Sequence, residues 1–192
     1  IKKGEAVVED VPAPLPSKGN ILVSVFYSCI SVGTELAGIR TTSLPLWKRA
    51  LKQPENVKKV FESVSNIGIK KTKQLVQGHL NAGNVTGYSA AGIIIGLGDD
   101  IKDLKVGDFV ACAGAQHAHH AEIINVPRNL VVKIPDGLDY KDASSVTLGS
   151  IALQGIRRLK PTIGETFVVV GLGILGQLTV QMLKSNGCNV IG

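Results

Sequence analysis

The sequence predicts an α/β fold class: a β-rich first domain, a barrel or a sandwich, followed by the start of a parallel sheet. Short runs rich in β-branched residues, bounded by Gly, Pro, Asn or Asp, occupy much of residues 1–136. Residues 167–192 have the order strand, glycine turn, helix and strand. A hydrophobic fraction of 44% over 192 residues is enough for a substantial core, which excludes disordered and fibrous classes.

Two short strands are predicted near the amino terminus. Residues 6–10 (AVVED) form the first run, and residues 20–28 (NILVSVFYS) form the second. The prolines within residues 12–16 separate the two runs and predict a turn.

The basic charge of the chain is concentrated in residues 41–80. The net charge of +6 arises from 21 Lys and Arg against 15 Asp and Glu. Residues 41–80 contain eight basic and two acidic side chains, and the rest of the chain is balanced at thirteen of each. The eight basic residues are Lys48, Arg49, Lys52, Lys58, Lys59, Lys70, Lys71 and Lys73. A general polyanion-binding surface over the rest of the chain is therefore not expected.

This basic segment is predicted to be helical. Apolar residues recur at the i, i+3, i+4 and i+7 spacing of an amphipathic helix, at Val57, Val60, Phe61 and Val64. Pro54 suits the start of this helix and Gly68 its end. Two interpretations stay open: a solvated face over the barrel, or a basic cap that attracts a phosphorylated or carboxylated substrate.

Further strands and helices are predicted between the basic segment and the final stretch. The strand runs are SAAGIIIGLG (89–98), FVACAG (109–114), AEIINVP (121–127) and NLVVKIP (129–135). Residues 138–159 have a helical pattern. The spacing of the strands favours a barrel or sandwich for this part of the chain.

The final stretch contains a G-x-G-x-x-G turn. Four apolar residues, 167–170, predict a strand buried on both faces of a parallel sheet. The turn that follows suits a dinucleotide, since its glycines allow a tight bend, close approach of a pyrophosphate and close packing of helix on strand. The predicted cofactor-binding residues of this turn are Gly171, Gly173, Ile174, Leu175 and Gly176.

Cofactor preference depends on a residue about 20 positions beyond the first glycine. An acidic side chain there favours NAD, whereas a small or basic one admits NADP. The sequence ends near that point, at Gly192, so NAD and NADP are both open.

The order of these parts resembles the medium-chain dehydrogenase/reductase superfamily, the alcohol-dehydrogenase-like enzymes with a GroES-like β-barrel followed by a Rossmann domain. Three blocks resemble family blocks: SVGTELAG (31–38), VTGYSAAGIIIGLGDDIKDLKVGDFVA (85–111) and HAEIINVPRNLVVKIPDGLDYKDAS (120–144). The resemblance implies a GroES-like catalytic domain over residues 1–160, with the basic insertion at about 41–84. It implies that residues 161–192 are the first β-α-β of a Rossmann doubly wound sheet that the sequence leaves incomplete.

The sequence departs from the zinc-dependent members at the ligand positions. Val32 replaces the usual Cys, Tyr88 and Ser89 replace His and Glu, and Leu148 or Gly149 falls at a further Cys position. A catalytic zinc needs three side-chain donors, which Val and Leu cannot provide. We therefore expect no zinc and no other metal at this site.

The resemblance implies other residues for the chemistry. Thr34 replaces a hydroxyl of the family's proton relay, and Tyr88 is a hydrogen-bond donor in place of the zinc-binding His. Both are predicted catalytic residues, although Tyr88 could instead fill the volume of the metal and Thr34 could instead cap a turn. The nicotinamide is expected near Val32, Gly33 and Thr34.

A second group of metal-binding residue types lies within nine positions: Cys112, His117, His119 and His120. Zinc sites use longer separations between ligand pairs, and strand alternation sends neighbouring side chains to opposite faces. A solvent-exposed loop near the active site is therefore the favoured interpretation over a metal site.

The predicted function is zinc-independent, NAD(P)-dependent hydride transfer to or from a carbonyl or alcohol substrate. YSCISVGTE, the basic insertion, GYSAAG and LGSIALQGIRRLKPTIGETFVVVGLGILG resemble bacterial bi-domain oxidoreductases. This implies a second oxidoreductase domain beyond residue 192 and, weakly, a sugar or sugar-nucleotide substrate.

Two other functions are the alternatives: a non-catalytic dinucleotide-binding module, and a nucleic-acid-binding protein that uses the basic insertion. The insertion lacks aromatic residues for base stacking, since only Trp47 and Phe61 are present and Phe61 belongs to the apolar stripe. The expected partner is thus a small-molecule substrate, with no nucleic acid and no membrane, and a homodimer follows the family's habit. Three scattered cysteines and the absence of a long apolar run or signal pattern predict a cytoplasmic protein.

Overall fold

A computed structural model describes residues 1–2, 4–45, 48, 51, 54–82 and 85–192. Trp47, Arg49, Lys52 and Asn84, which entered the sequence interpretation, lie outside these residues. No helix in the described ranges is long and apolar enough to cross a membrane.

Seven strands and six α-helices are assigned in the described residues. The strands are β1 (Asn20–Ser28), β2 (Ser89–Leu97), β3 (Phe109–Ala113), β4 (Ile123–Pro127), β5 (Val131–Lys133), β6 (Thr166–Val168) and β7 (Asn189–Ile191). The helices are α1 (Val32–Ser43), α2 (Pro54–Ile67), α3 (Ile69–Ala82), α4 (Tyr140–Ala143), α5 (Val146–Leu159) and α6 (Ile174–Ser185). A short 3-10 helix, Arg128–Leu130, joins β4 to β5.

The chain divides into two compact units. The helical unit contains Ile1–Val11 and Val32–Thr86, and the sheet unit contains Pro12–Ser31 and Gly87–Gly192. The division predicted from the sequence, with a boundary at about residue 160, stays a prediction.

In the helical unit, the amino-terminal segment packs against α1. The α-carbon of Gly4 lies against Ser43, so that a Cβ on Gly4 would stand 2.8 Å from the Ser43 Cβ. The α2 helix begins at Pro54 and is followed by Gly68, which confirms both predicted ends. Of its predicted apolar stripe, Val57 and Val64 are half-buried, whereas Val60 and Phe61 are exposed.

In the sheet unit, five strands form an antiparallel sheet in the order β4-β1-β2-β3-β5. Alternate residues place one set of side chains in the main core, because successive side chains of a strand point to opposite faces. The buried members of this core are Ile21, Val23, Ala90, Ile94, Leu104, Val110, Cys112, Ala118, Ile124, Val126 and Val131. The predicted strand over residues 20–28 is therefore confirmed, and each of the four runs predicted within residues 89–135 contains one strand of the sheet. Closure of the sheet into a GroES-like barrel stays a prediction.

Helices α4 and α5 of the same unit cover the opposite face of β2 and β3. Ala91 and Ala111 pack there against Ala143 of α4. The Tyr140 ring stands edge-on to Phe26 and Phe109, with ring centroids 4.9 and 5.0 Å away. Small side chains on the strands thus let α4 and α5 approach the sheet at the point where β2 begins.

The final stretch forms a parallel strand pair with one helix, as predicted. Strands β6 and β7 pair in parallel, and α6 connects them. Leu183 of α6 and Ile156 of α5 pack on Phe167 and Val190. The Rossmann assignment of this region stays a prediction.

Two predictions about strands were wrong. Residues 6–10, all described, form no strand, because no strand of either sheet pairs with them, and Val8 is 98% exposed. The strand over residues 167–170 is not buried on both faces, since Val168 is 69% and Val170 95% exposed. Helices cover only the Phe167 face of this pair within the described residues.

Candidate functional site

The ends of three strands meet beside Tyr88. The backbone N–H of Cys29, just after β1, donates to the Ser89 carbonyl at 2.9 Å. The N–H of Gly114, just after β3, donates to the Tyr88 carbonyl at 3.0 Å. One end of the sheet therefore holds Tyr88 and Ser89, two of the residues that the sequence places at the altered zinc positions.

Ser89 is fully buried and makes two hydrogen bonds to residues at the junction of α4 and α5. Its hydroxyl donates to the Ser144 carbonyl at 2.6 Å and accepts from the Thr147 N–H at 3.2 Å. A buried hydroxyl that both donates and accepts a hydrogen bond is stable in an apolar interior. Ser89 thus joins the start of β2 to the junction of α4 and α5.

Tyr88 is half-buried, and its backbone is held from two sides. Its carbonyl accepts from the Thr147 hydroxyl at 3.1 Å as well as from Gly114. Gly87, with a φ of +94°, lies against the backbone of His120, where a Cβ would stand 2.5 Å from the His120 nitrogen. Only glycine suits that conformation and that spacing.

The positions predicted to replace zinc ligands are distributed over both units. The structure brings Tyr88, Ser89 and Leu148 into one part of the sheet unit, and Leu148 is fully buried. Val32 lies in the helical unit. Among the described residues, no three His, Cys, Asp or Glu side chains gather in a way that could hold a metal ion.

Val32, Gly33 and Thr34 form the first turn of α1 in the helical unit. Val32 and Thr34 are exposed, and the α-carbon of Gly33 faces open space. Thr34 and Tyr88, the two predicted catalytic residues, thus belong to different units.

His117, His119 and His120, which the sequence groups with Cys112 as metal-binding residue types, lie on a loop between β3 and β4, as predicted. They are half-buried rather than solvent-exposed, because the loop folds back on Gly87. The His120 Nδ1 is 2.8 Å from the Ser28 hydroxyl. Burial lowers the pKa of His119, and its Nδ1 is buried without a hydrogen-bond partner. Cys112 points instead into the main core, where burial raises the pKa of its thiol to about 12.

The glycine turn precedes α6 in the sheet unit. Gly171 has a φ of +92°, a conformation that glycine adopts without strain. A Cβ on Gly176 would stand 2.0 Å from the Gly171 carbonyl oxygen, so the turn and the helix touch at this position. A Cβ added to Gly173 would meet no atom beyond its chain neighbours within 4 Å.

This turn fits a pyrophosphate. No side chain caps the amino terminus of α6, whose first backbone N–H groups have no intrahelical acceptor. Gly173 leaves open space beside these donors, and the helix dipole favours an anion there. The residues present can therefore hold the phosphates of a dinucleotide.

Thr147 and Ser144 are site residues that sequence reasoning missed. They lie more than 50 positions from Tyr88 and Ser89 along the chain. The available signal was Thr147 itself, a hydroxyl residue next to the altered ligand position at Leu148.

Comparisons with known proteins identify similar chains, although no family model matches. D-guloside 3-dehydrogenase of Escherichia coli (strain K12) is 35% identical over 106 residues, which are 55% of this chain and 30% of that protein. Probable quinone oxidoreductase of Schizosaccharomyces pombe is 36% identical over 111 residues, 56% of this chain and 33% of that protein. The chain thus spans about a third of the length of these curated relatives.

Solved structures share the fold. The quinone oxidoreductase of Coxiella burnetii aligns with 95% of this chain and 50% of its own length, at a TM-score of 0.68 and 20% identity. The quinone oxidoreductase of Escherichia coli complexed with NADPH aligns with 96% of this chain and 47% of its own length, at a TM-score of 0.66 and 19% identity. The chain spans about half of each of these structures.

Proposed function

We propose that the chain is part of a zinc-independent, NAD(P)-dependent oxidoreductase of the medium-chain dehydrogenase/reductase family, the family of its homologues and structural neighbours. The reaction is hydride transfer between a nicotinamide and a carbonyl or alcohol substrate. Similarity to a D-guloside dehydrogenase supports a sugar or sugar nucleotide as one substrate class. In this proposal the sheet unit contributes a GroES-like barrel and the start of a Rossmann sheet.

The glycine turn is the observation that carries the proposal. It combines the bend at Gly171, the close approach of Gly176 and the open side of Gly173 at an uncapped helix start. Plain tight turns have no need of all three features, whereas a pyrophosphate-binding turn does. Gly173, Ile174, Leu175 and Gly176 would hold the phosphates through their backbone N–H groups.

The residues of this chain would orient the substrate and support the charge that develops on it. A bound nicotinamide supplies or accepts the hydride. The Tyr88 phenol donates a hydrogen bond or a proton to the substrate oxygen, where negative charge grows during carbonyl reduction. Thr34, Val32 and Gly33 belong to the helical unit, and the family resemblance alone proposes Thr34 as a second hydroxyl and Val32 and Gly33 as contacts of the nicotinamide.

Zinc independence is supported by the side chains at the altered ligand positions. Leu148 has no donor atom, and the Ser89 hydroxyl is already engaged with Ser144 and Thr147. Elemental analysis of the chelator-treated full chain tests this point, with less than about 0.1 zinc per chain expected. One tightly held zinc per chain would contradict it.

Oxidation of NADPH by 1,4-benzoquinone, followed at 340 nm, tests the activity of the full chain. NADH and the reverse reaction with NAD and sorbitol complete the set of probes. We expect turnover, and an about 100-fold loss of kcat in Tyr88→Phe because one donor to the developing oxyanion is removed. Tyr140→Phe is the matched control, since Tyr140 packs against Phe26 and Phe109 and has no role in the proposed reaction.

The outcomes of this assay separate the alternatives. Unchanged turnover in Tyr88→Phe would remove Tyr88 from the mechanism. Tight binding of the dinucleotide with no turnover of any probe would favour the non-catalytic module over the enzyme.

A further inference from the structure

The backbone of Tyr88 is connected to α5 through one residue. The Thr147 hydroxyl donates to the Tyr88 carbonyl at 3.1 Å, and the Thr147 N–H donates to the Ser89 hydroxyl at 3.2 Å. Thr147 therefore bonds two successive residues of the chain where β2 begins. A single side-chain contact would allow rotation about it, whereas two bonds to adjacent residues fix the direction of the strand.

The other partners of this segment restrict it from its remaining sides. The Ser89 hydroxyl donates to the Ser144 carbonyl at 2.6 Å, and Gly114 donates to the Tyr88 carbonyl at 3.0 Å. Ser89 has no exposed surface, so water cannot replace its partners without local opening. The Tyr88–Ser89 segment is thus fixed by hydrogen bonds to Thr147, Ser144 and Gly114.

We propose that Thr147 is a positioning residue that sets the direction of the Tyr88 side chain, an inference that rests on the proposed function. Loss of its hydroxyl leaves the Tyr88 carbonyl with Gly114 as its donor and lets the peptide plane between Tyr88 and Ser89 tilt. Displacement of a catalytic group by about 1 Å can lower a rate by about 100-fold. The pyrophosphate site at Gly171–Gly176 makes no use of Thr147, so the affinity for dinucleotide stays the same.

Variants of Thr147 in the full chain test this role. Thr147→Val removes the hydroxyl and keeps the branched shape, and Thr147→Ser keeps the hydroxyl. Ser150→Ala is the matched control, because Ser150 is an exposed hydroxyl of the same helix that donates only to the Val146 carbonyl, at 2.9 Å. Turnover is measured with NADPH and 1,4-benzoquinone, and the Kd of NADPH is measured by fluorescence.

In Thr147→Val we expect kcat to fall at least about tenfold, with the Kd of NADPH within about twofold of the parent. Thr147→Ser restores kcat to within about threefold of the parent, and Ser150→Ala does not change it. A kcat for Thr147→Val equal to that of Ser150→Ala would overturn the proposal. An equal loss in Thr147→Ser would also overturn it, because the hydroxyl would then not be the cause.

Amide hydrogen exchange gives a second readout that needs no turnover. Peptides that cover residues 86–91 should exchange faster in Thr147→Val than in Ser150→Ala, since the hydrogen bond from the Thr147 hydroxyl to the Tyr88 carbonyl is lost. If the parent chain turns over no probe, the proposed function fails, and exchange then tests whether Thr147 restrains the Tyr88–Ser89 segment. Equal exchange in the two variants would then overturn the inference.

Discussion

The Ser89 hydroxyl donates a hydrogen bond of 2.6 Å to the main-chain carbonyl of Ser144. Fifty-five positions separate the two residues in the chain, and the bond ties the first residue of β2 to the end of α4. Ser89 is completely buried and also accepts from the Thr147 N–H. The Ser89 hydroxyl thus joins the sheet to the junction of α4 and α5.

Replacement of this hydroxyl should destabilise the protein. Ser89→Ala leaves the buried Ser144 carbonyl and Thr147 N–H without their partner, at a cost of about 1–3 kcal/mol. Urea unfolding followed by circular dichroism measures the change. The control is Ser150→Ala, an exposed serine for which we expect a change below about 0.5 kcal/mol. If the two variants unfold at the same urea concentration, the Ser89 bond does not stabilise the fold.

Acid should weaken the fold through Asp108. Its carboxylate accepts from the Lys105 N–H at 2.9 Å and lies 3.1 Å from the Lys133 ammonium. The Lys105 N–H, and then Lys133, lower the pKa of Asp108 below its usual value. A depressed pKa in the folded state gives stability that is present above the unfolded pKa, near 3.9, and is lost as the pH falls through the folded value.

Asp108→Asn should therefore be less stable than the parent at pH 7, with a difference that shrinks below about pH 4. Thermal unfolding at a series of pH values measures this difference. Asp136→Asn, at an exposed aspartate, is the control and should follow the parent throughout. A gap between Asp108→Asn and the parent that is constant from pH 7 to pH 3 would contradict the assignment.

Cys29 and Cys112, two of the three free cysteines, should react in an order set by burial. Burial raises the pKa of the Cys112 thiol to about 12, and that side chain has no exposed surface. Burial also raises the pKa of Cys29, which is only half-buried. Because the thiolate is the reactive form, iodoacetamide at pH 8 should label Cys29 before Cys112, and Cys112 only on unfolding. Peptide mass spectrometry over time gives the order, and early labelling of Cys112 in the native chain would refute the prediction.

Gly176 should be required for the shape of the glycine turn. A Cβ there would stand 2.0 Å from the Gly171 carbonyl oxygen, so Gly176→Ala forces the turn and α6 apart. We expect a loss of about 1–3 kcal/mol in unfolding free energy. Gly155→Ala is the control, because that helical glycine has no atom within 4 Å of the added Cβ and alanine favours the helix by about 0.5–1 kcal/mol. If Gly176→Ala and Gly155→Ala have the same unfolding free energy, the contact between Gly176 and the Gly171 carbonyl is not tight.

Local patterns in the sequence were sufficient to predict most of the secondary structure. The stripe from Val57 to Val64 identifies α2. Short runs rich in β-branched residues and bounded by Gly, Pro, Asn or Asp identify the strands of the five-stranded sheet, because both patterns depend only on neighbouring residues. Residues 6–10 have a strand composition but no partner strand, and composition does not reveal pairing. The exposed side chains of Val168 and Val170 likewise depend on what covers the sheet rather than on the strand.

The candidate site was predicted only in part, for the same reason. The glycine turn is a local motif and was identified from its spacing. Ser89 and Tyr88 were noted as replacements for metal ligands, but their hydrogen bonds to Ser144 and Thr147 join residues far apart in the chain. Such contacts arise from the packing of α4 and α5 on the sheet, and no local sequence pattern predicts that packing.

Titration of NADPH into the full chain and into Gly173→Ala tests the central claim most directly. The Gly173 backbone, with a φ of −71°, accepts alanine without strain, and an added Cβ meets no protein atom within 4 Å. The substitution therefore fills only the space proposed for the pyrophosphate. By calorimetry, we expect one NADPH site per parent chain and a Kd at least about tenfold weaker in Gly173→Ala, at an unchanged melting temperature. NADPH binding that is equally tight in both proteins, or absent from the parent chain, would contradict the account.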